Sequence, residues 1–158
     1  YLWEKGYRRP GFMAGPRTLS TALGRRRNFK AFWKKKLGIE IIELSAERYS
    51  ADAGAEAMRH YLSRVAAAER IDVLMCENDV LAFGAMDAIK TDFGLRIPDE
   101  LAVVGFDNAP MAESPSHDLT TYEQPIDLMV KTTIDMVLKR TVRETINFPG
   151  RLVVRRSA

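Results

Sequence analysis

The apolar positions of this chain alternate between two patterns. Short, nearly unbroken runs occur at 11–14 (Gly-Phe-Met-Ala), 39–44, 71–76 and 101–106, several rich in β-branched residues. Such runs suit strands of a parallel sheet, whose two faces are both covered. Between them the apolar residues are spaced for helices. Phe29, Phe32, Trp33 and Leu37 form one stripe, Ala57, Met58, Tyr61, Leu62 and Val65 a second, and Leu81, Ala82, Ala85, Met86 and Ile89 a third. The punctuation agrees with this reading. Gly15-Pro16 ends the first run, while Gly38 and Gly94 suit left-handed helix ends. Ser20 or Thr21, Ser50, and Asn78 or Asp79 offer side-chain oxygens to the first-turn amides of the three helices. Further on, Pro125 begins a helix bearing Met129, Val130, Thr133, Ile134, Val137 and Leu138, and 152–154 reads as a short last strand.

Four strands separated by three helices within the first 106 residues predict an α/β fold with a parallel sheet flanked by helices. Ligands of such sheets sit beyond the carboxyl ends of the strands. That places Thr21, Tyr49, Asn78 and Asp107 along one rim.

Composition narrows the chemistry. The 158 residues are 46% hydrophobic and 28% charged, as expected of one globular domain, and no apolar run approaches the length of a membrane span. A net charge of +3 is too small to imply nucleic-acid binding. The single Cys76 excludes an internal disulfide, and with His60 and His117 it makes no zinc cluster, so no metal or cofactor is expected. Seven cations between Arg25 and Lys36 come without an acid and read as a solvated helix face. The opening Tyr1-Leu2-Trp3 has neither an initiator Met nor a secretion signal and reads as an internal start.

The polar residues at the rim each admit a plain reading. Asp79 is expected to cap its helix, leaving the Asn78 amide able to meet a ligand. Asp107 either caps the turn at Asn108-Ala109-Pro110 or accepts hydroxyl hydrogens from a ligand. His117 lies in a Ser- and Pro-rich loop where a solvated imidazole is the default. No nucleophile elbow, phosphate loop or dinucleotide fingerprint is present, and Cys76 lies mid-strand as an inert thiol. The chain is therefore not expected to be an enzyme.

Taken in order, several segments resemble a known family. They are Gly6-Tyr7-Arg8-Arg9-Pro10-Gly11-Phe12-Met13-Ala14-Gly15-Pro16, then Ser20-Thr21 and Arg25, then Asn78-Asp79-Val80-Leu81-Ala82-Phe83-Gly84-Ala85. The most specific is the stretch from Gly94 to Asp107, which holds Ile97-Pro98-Asp99-Glu100 and Val103-Val104-Gly105-Phe106-Asp107. With Leu119-Thr120-Thr121, Gln124-Pro125 and the ending Leu152–Ser157, the chain is similar to the lactose-repressor (LacI/GalR) family of bacterial transcription regulators.

The resemblance implies a periplasmic-binding-protein-like (type I) effector domain, in which two lobes close over a small metabolite such as a sugar. Residues 1–118 then form the C-terminal lobe, 119–140 the crossover and a helix of the N-terminal lobe, and 141–158 the final strand returning to the C-terminal lobe. Thr21, Arg25, Asn78, Asp107 and Gln124 fall on effector positions, and Tyr49 where an aromatic packs on the ligand ring. Gln124, beside the crossover, is expected to distinguish the two lobe orientations. Phe83 is a candidate contact of a homodimer. The resemblance further implies a cytoplasmic protein that meets operator DNA only through a helix-turn-helix not contained in this chain. The alternative is a periplasmic sugar-binding protein of a transporter. The chain departs from the family at Pro10, where an Ile is usual and a lost amide is expected to shorten the first strand. It departs again at Leu19, which makes a purine-type effector less attractive.

Overall fold

In a computed structural model, residues 1–16, 23–139 and 146–158 are described. Six strands form one sheet in the order β2-β1-β3-β4-β5-β6. They are β1 (Pro10–Ala14), β2 (Ile42–Ser45), β3 (Val73–Cys76), β4 (Ala102–Asp107), β5 (Thr120–Glu123) and β6 (Arg151–Val153). All neighbours run parallel except β6, which is antiparallel to β5. The helices are α1 (Leu23–Leu37), α2 (Ala51–Leu62), α3 (Asp79–Asp87) and α4 (Ile126–Leu138), with α3 running on into a wider π-type turn, Ala88–Asp92.

Alternation along the strands sorts side chains to two faces. Met13, Leu74, Cys76 and Val103 point to α2 and α3, where with Met58, Leu81, Met86 and Ile89 they form the larger core. Phe12 and Ala14 point the other way, onto Trp33 of α1. The α2–α3 contact is unusually close because glycines face each helix. A Cβ on Gly84 would lie 1.7 Å from the carbonyl oxygen of Ala51, and one on Gly54 would lie 2.4 Å from that of Leu81.

Ser50 caps α2 as expected, accepting from the Ala53 amide, and Gly38 (φ +70°) and Gly94 (φ +62°) take left-handed conformations after their helices. Four expectations are corrected. Pro10 does not shorten β1 but opens it, opposite Val73, the strand position where a missing amide is tolerated. β2 is an edge strand and largely exposed rather than buried. Phe32 is 42% exposed and only leans its edge on Trp33, so the aromatic stripe of α1 reaches the core through Trp33 and in part Phe29. The chain also forms β5, directly after the 118/119 boundary. Its four residues are too few for periodicity to distinguish from a loop.

The basic run of α1 is a solvated face, with Arg26 and Lys30 paired to Glu43 and Lys34 to Glu40. None of the residues of α4 is buried, and Ile126, Val130, Ile134 and Val137 are at least half exposed. No helix among the described residues is long and apolar enough to cross a membrane.

Candidate functional site

The carboxyl ends of β1, β3, β4 and β5 gather the polar groups that form the rim. β4 ends at Asp107 with φ 121°, followed by Asn108 at φ 54°. Both are costly conformations for residues with a Cβ, and strained backbone of this kind clusters where a structure holds a side chain for use. Two contacts fix the turn. The Ala109 amide donates to Oδ2 of Asp79 at 2.7 Å, and the Asn108 amide to the Thr121 hydroxyl at 3.3 Å. Asp107 stands exposed on the rim, and the side-chain amide of Gln124 donates to its Oδ1 at 2.7 Å. Partial enclosure raises the Asp107 pKa above its ordinary value, opposed by the Gln124 hydrogen bond. Nearby Asp79 adds to the rise, and Arg25 lowers it. Asp107, Asn108, Glu123, Gln124 and Pro125 line a depression of about 490 Å³ at this end of the sheet.

Arg25, in the first turn of α1, lies across the Phe106 ring with its guanidinium carbon 4.1 Å from the centroid. Phe106 in turn stacks on Tyr122 at 5.3 Å and 15°. Nη2 of Arg25 is 3.9 Å from Glu77, and its buried Nε has no hydrogen-bond partner among the described residues. Arg25 also lines an apolar groove of about 400 Å³ on the α1 face, between Trp3, Phe29, Trp33, Phe106 and Leu152. The groove is lined mainly by aromatic and aliphatic side chains, whereas the carboxylates and amides that could orient a ligand are at the rim.

Tyr49 lies against the backbone of Gly15, where any side chain would collide with its ring, and its hydroxyl donates to Glu77. Asn78, not Asp79, is the cap of α3: its Oδ1 accepts from the Leu81 amide at 3.1 Å. The expected assignment is thereby reversed. Asp79 is 1% exposed and braces the β4 turn and β5, accepting from Thr121 Oγ1 at 2.6 Å as well as from Ala109. Thr21, together with Ser20 and Leu19, lies outside the described residues.

Three further expectations need correction or addition. Phe83 is 5% exposed, its ring tilted at 46° against His117 at 4.7 Å, so little of it is open at the surface of this chain. His117 is not a solvated loop residue but buried, with Nε2 3.3 Å from Asp87. Glu77 went unnoticed in the sequence although it directly follows β3, the place where the strand-end rule would have pointed. Cys76 is fully buried, and burial, aided by Asp79, pushes its thiol pKa far up, as befits an inert thiol. Among the described residues no cluster of His, Cys, Asp and Glu is arranged to hold a metal ion.

Comparison with known proteins agrees with this architecture. The family described as periplasmic binding protein-like domain matches residues 1–158. The HTH-type transcriptional repressor PurR of Salmonella paratyphi B is 32% identical over 163 aligned residues, covering 99% of this chain and 47% of that protein. The lac repressor dimer bound to operator and the anti-inducer ONPF superposes with a TM-score of 0.84 at 26% identity, covering 99% of this chain and 54% of that one. The transcriptional regulator CelR in complex with cellobiose superposes with a TM-score of 0.82 at 26% identity, covering 99% and 49%. The chain thus spans about half the length of the curated relatives it matches. It belongs to the periplasmic binding protein-like domain family, and within that family it resembles the effector-domain portion of LacI-type transcription regulators.

Proposed function

We propose that the chain is mostly the C-terminal lobe of the effector-sensing domain of a LacI-type DNA-binding regulator, and that it contributes the carboxyl end of its sheet to the binding of an uncharged sugar. The observation that carries this reading is the state of Arg25. Its guanidinium is held in place by the Phe106 ring, and its buried Nε has no hydrogen-bond partner among the described residues. A preorganised guanidinium with a buried donor left unpaired, close enough to Asp107 to influence its ionisation, matches the hydroxyls of a sugar, which accept from one group and donate to the other. The Tyr49 ring supplies an apolar face of the kind that sugar rings pack against, while Phe106, stacked on Tyr122, serves to hold Arg25. Thr21 and Asn78 belong to the same proposed site; the Oδ1 of Asn78 is engaged as a cap, leaving its amide nitrogen for the ligand.

Signalling would work through α4. Its exposed apolar residues Ile126, Val130, Ile134 and Val137 support its assignment to a second lobe; because β5 still pairs with β4, the crossover within the expected 119–140 segment follows Glu123, and β6 returns to the sheet. Gln124 stands at that crossover and already binds Asp107, so a ligand held by Asp107 can favour one lobe orientation over another. The shift is limited to the difference in its affinity for the two states. In this reading the intact protein is a cytoplasmic homodimer that binds operator DNA through a separate module and catalyses no reaction. The transporter-type sugar-binding alternative is less favoured, because the curated relatives are named as repressors.

Thermal unfolding of the full-length protein against glucose, galactose, cellobiose, sucrose and the nucleobases tests the reading. A sugar present at 100 times its Kd adds about 2.7 kcal/mol of stability and raises Tm by several degrees. Stabilisation by a nucleobase alone would contradict it.

A further inference from the structure

Beneath the rim lies a carboxylate that the proposed site does not use. Glu77 is 1% exposed and sits between the end of β3 and the cap of α3. One of its oxygens accepts from the Gly15 amide at 2.7 Å, and the other from the Tyr49 hydroxyl, with Nη2 of Arg25 3.9 Å from that second oxygen. Solvent cannot screen so buried a charge, so its field falls on its neighbours. Arg25 is the cation paired with it, and Asp107 is near enough to Arg25 for the guanidinium to assist its ionisation.

We propose that Glu77 is a specificity-determining residue: by neutralising Arg25 from below, it reserves the site for uncharged polyhydroxyl ligands and turns away phosphorylated or carboxylated metabolites. The inference rests on the preceding assignment of the rim as the ligand site and adds both the charge class and the residue that sets it. An anion approaching Arg25 meets the buried Glu77 carboxylate 3.9 Å from its Nη2, and a like charge held this close opposes binding strongly. A hydroxyl meets no such penalty. It accepts from Arg25, whose charge need not be matched a second time, and donates to Asp107. The Tyr49 hydroxyl and the Gly15 amide hold the carboxylate in place, and the bare backbone of Gly15 is what lets the Tyr49 ring approach.

Calorimetric titration of the full-length protein at fixed ionic strength tests this, with inorganic phosphate, glucose 6-phosphate and glucose as probes. The wild type is expected to show no saturable binding of phosphate or glucose 6-phosphate up to about 10 mM. Glu77→Gln keeps the shape and one acceptor oxygen, and is expected to bind inorganic phosphate at least about tenfold more tightly, a gain abolished by adding Arg25→Gln. Equal phosphate affinity in wild type and Glu77→Gln overturns the proposal. So does glucose 6-phosphate binding to the wild type at millimolar concentration or below, and that arm decides the matter alone should Glu77→Gln fail to fold. Failure of every neutral sugar to bind would instead contradict the sugar reading, while a phosphate gain in Glu77→Gln would still uphold the role of Glu77.

Discussion

The side-chain amide of Gln124 donates to Oδ1 of Asp107 at 2.7 Å, tying the last residue of β4 to the segment that leads into α4. This contact partly offsets the enclosure that raises the Asp107 pKa. A carboxyl whose pKa is higher folded than unfolded holds its proton more firmly in the native state. Its favourable contribution is complete below the unfolded pKa and is lost as pH rises through the folded one. Asp107 therefore costs stability at neutral pH. Asp107→Asn is expected to unfold at a slightly higher temperature at pH 7, by up to about 2 °C, and the difference should vanish as pH falls below the unfolded pKa. Thermal melts of both proteins between pH 3.5 and 7.5 check this; a variant less stable than wild type at pH 7 would be the wrong sign.

Asp79 should matter more for folding. Both of its oxygens are occupied inside the protein, by Thr121 and by the Ala109 amide. Asp79→Ala strands both donors in a buried place and is expected to cost about 3 kcal/mol, with Thr121→Val costing about 1–2. Urea denaturation of the single and double variants measures their coupling. Additive losses would show that the two side chains act separately.

The α2–α3 contact predicts a large penalty for a single methyl group. Gly84→Ala places a Cβ 1.7 Å from the Ala51 carbonyl oxygen, which belongs to backbone and cannot swing aside. The helices must separate, at a cost of about 3 kcal/mol by chemical denaturation. Gly24→Ala, where nothing among the described residues lies within 4 Å of the added carbon, should be neutral or slightly stabilising.

Asn78 can be tested for two roles at once. As the cap of α3, its replacement by Ala should cost about 1 kcal/mol, whereas Asn78→Ser keeps an oxygen for the Leu81 amide and should cost little. Sugar titrations then isolate the amide nitrogen. If Asn78→Ser binds a sugar as wild type does, Asn78 is a cap and nothing more.

The strands β1, β3 and β4 and the helices α2 and α3 were legible because each has a long apolar pattern with a cap or glycine at its end. Ser50, Gly38 and Gly94 stand where the sequence placed them. β5 escaped notice because four residues of Thr, Tyr and Glu carry too little periodicity, and its pairing with β4 is non-local. Asp107 follows from the strand-end rule, whereas Arg25 and Gln124 depend on the family resemblance, and the geometry adds the Gln124–Asp107 bond. The roles of Asn78 and Asp79 were exchanged because either oxygen can cap a helix. Only the partners across the fold, Thr121 and Ala109, distinguish them. The burial of Phe83 is not legible either, since a helix position does not reveal that His117 packs on the ring.

The most direct test is calorimetry of the full-length protein with the sugar that stabilises it most, repeated for Arg25→Gln and Asp107→Asn. The account predicts saturable binding by the wild type and a loss of at least about tenfold in affinity, roughly 1.4 kcal/mol, in each variant. Dissociation constants unchanged in both variants would contradict it.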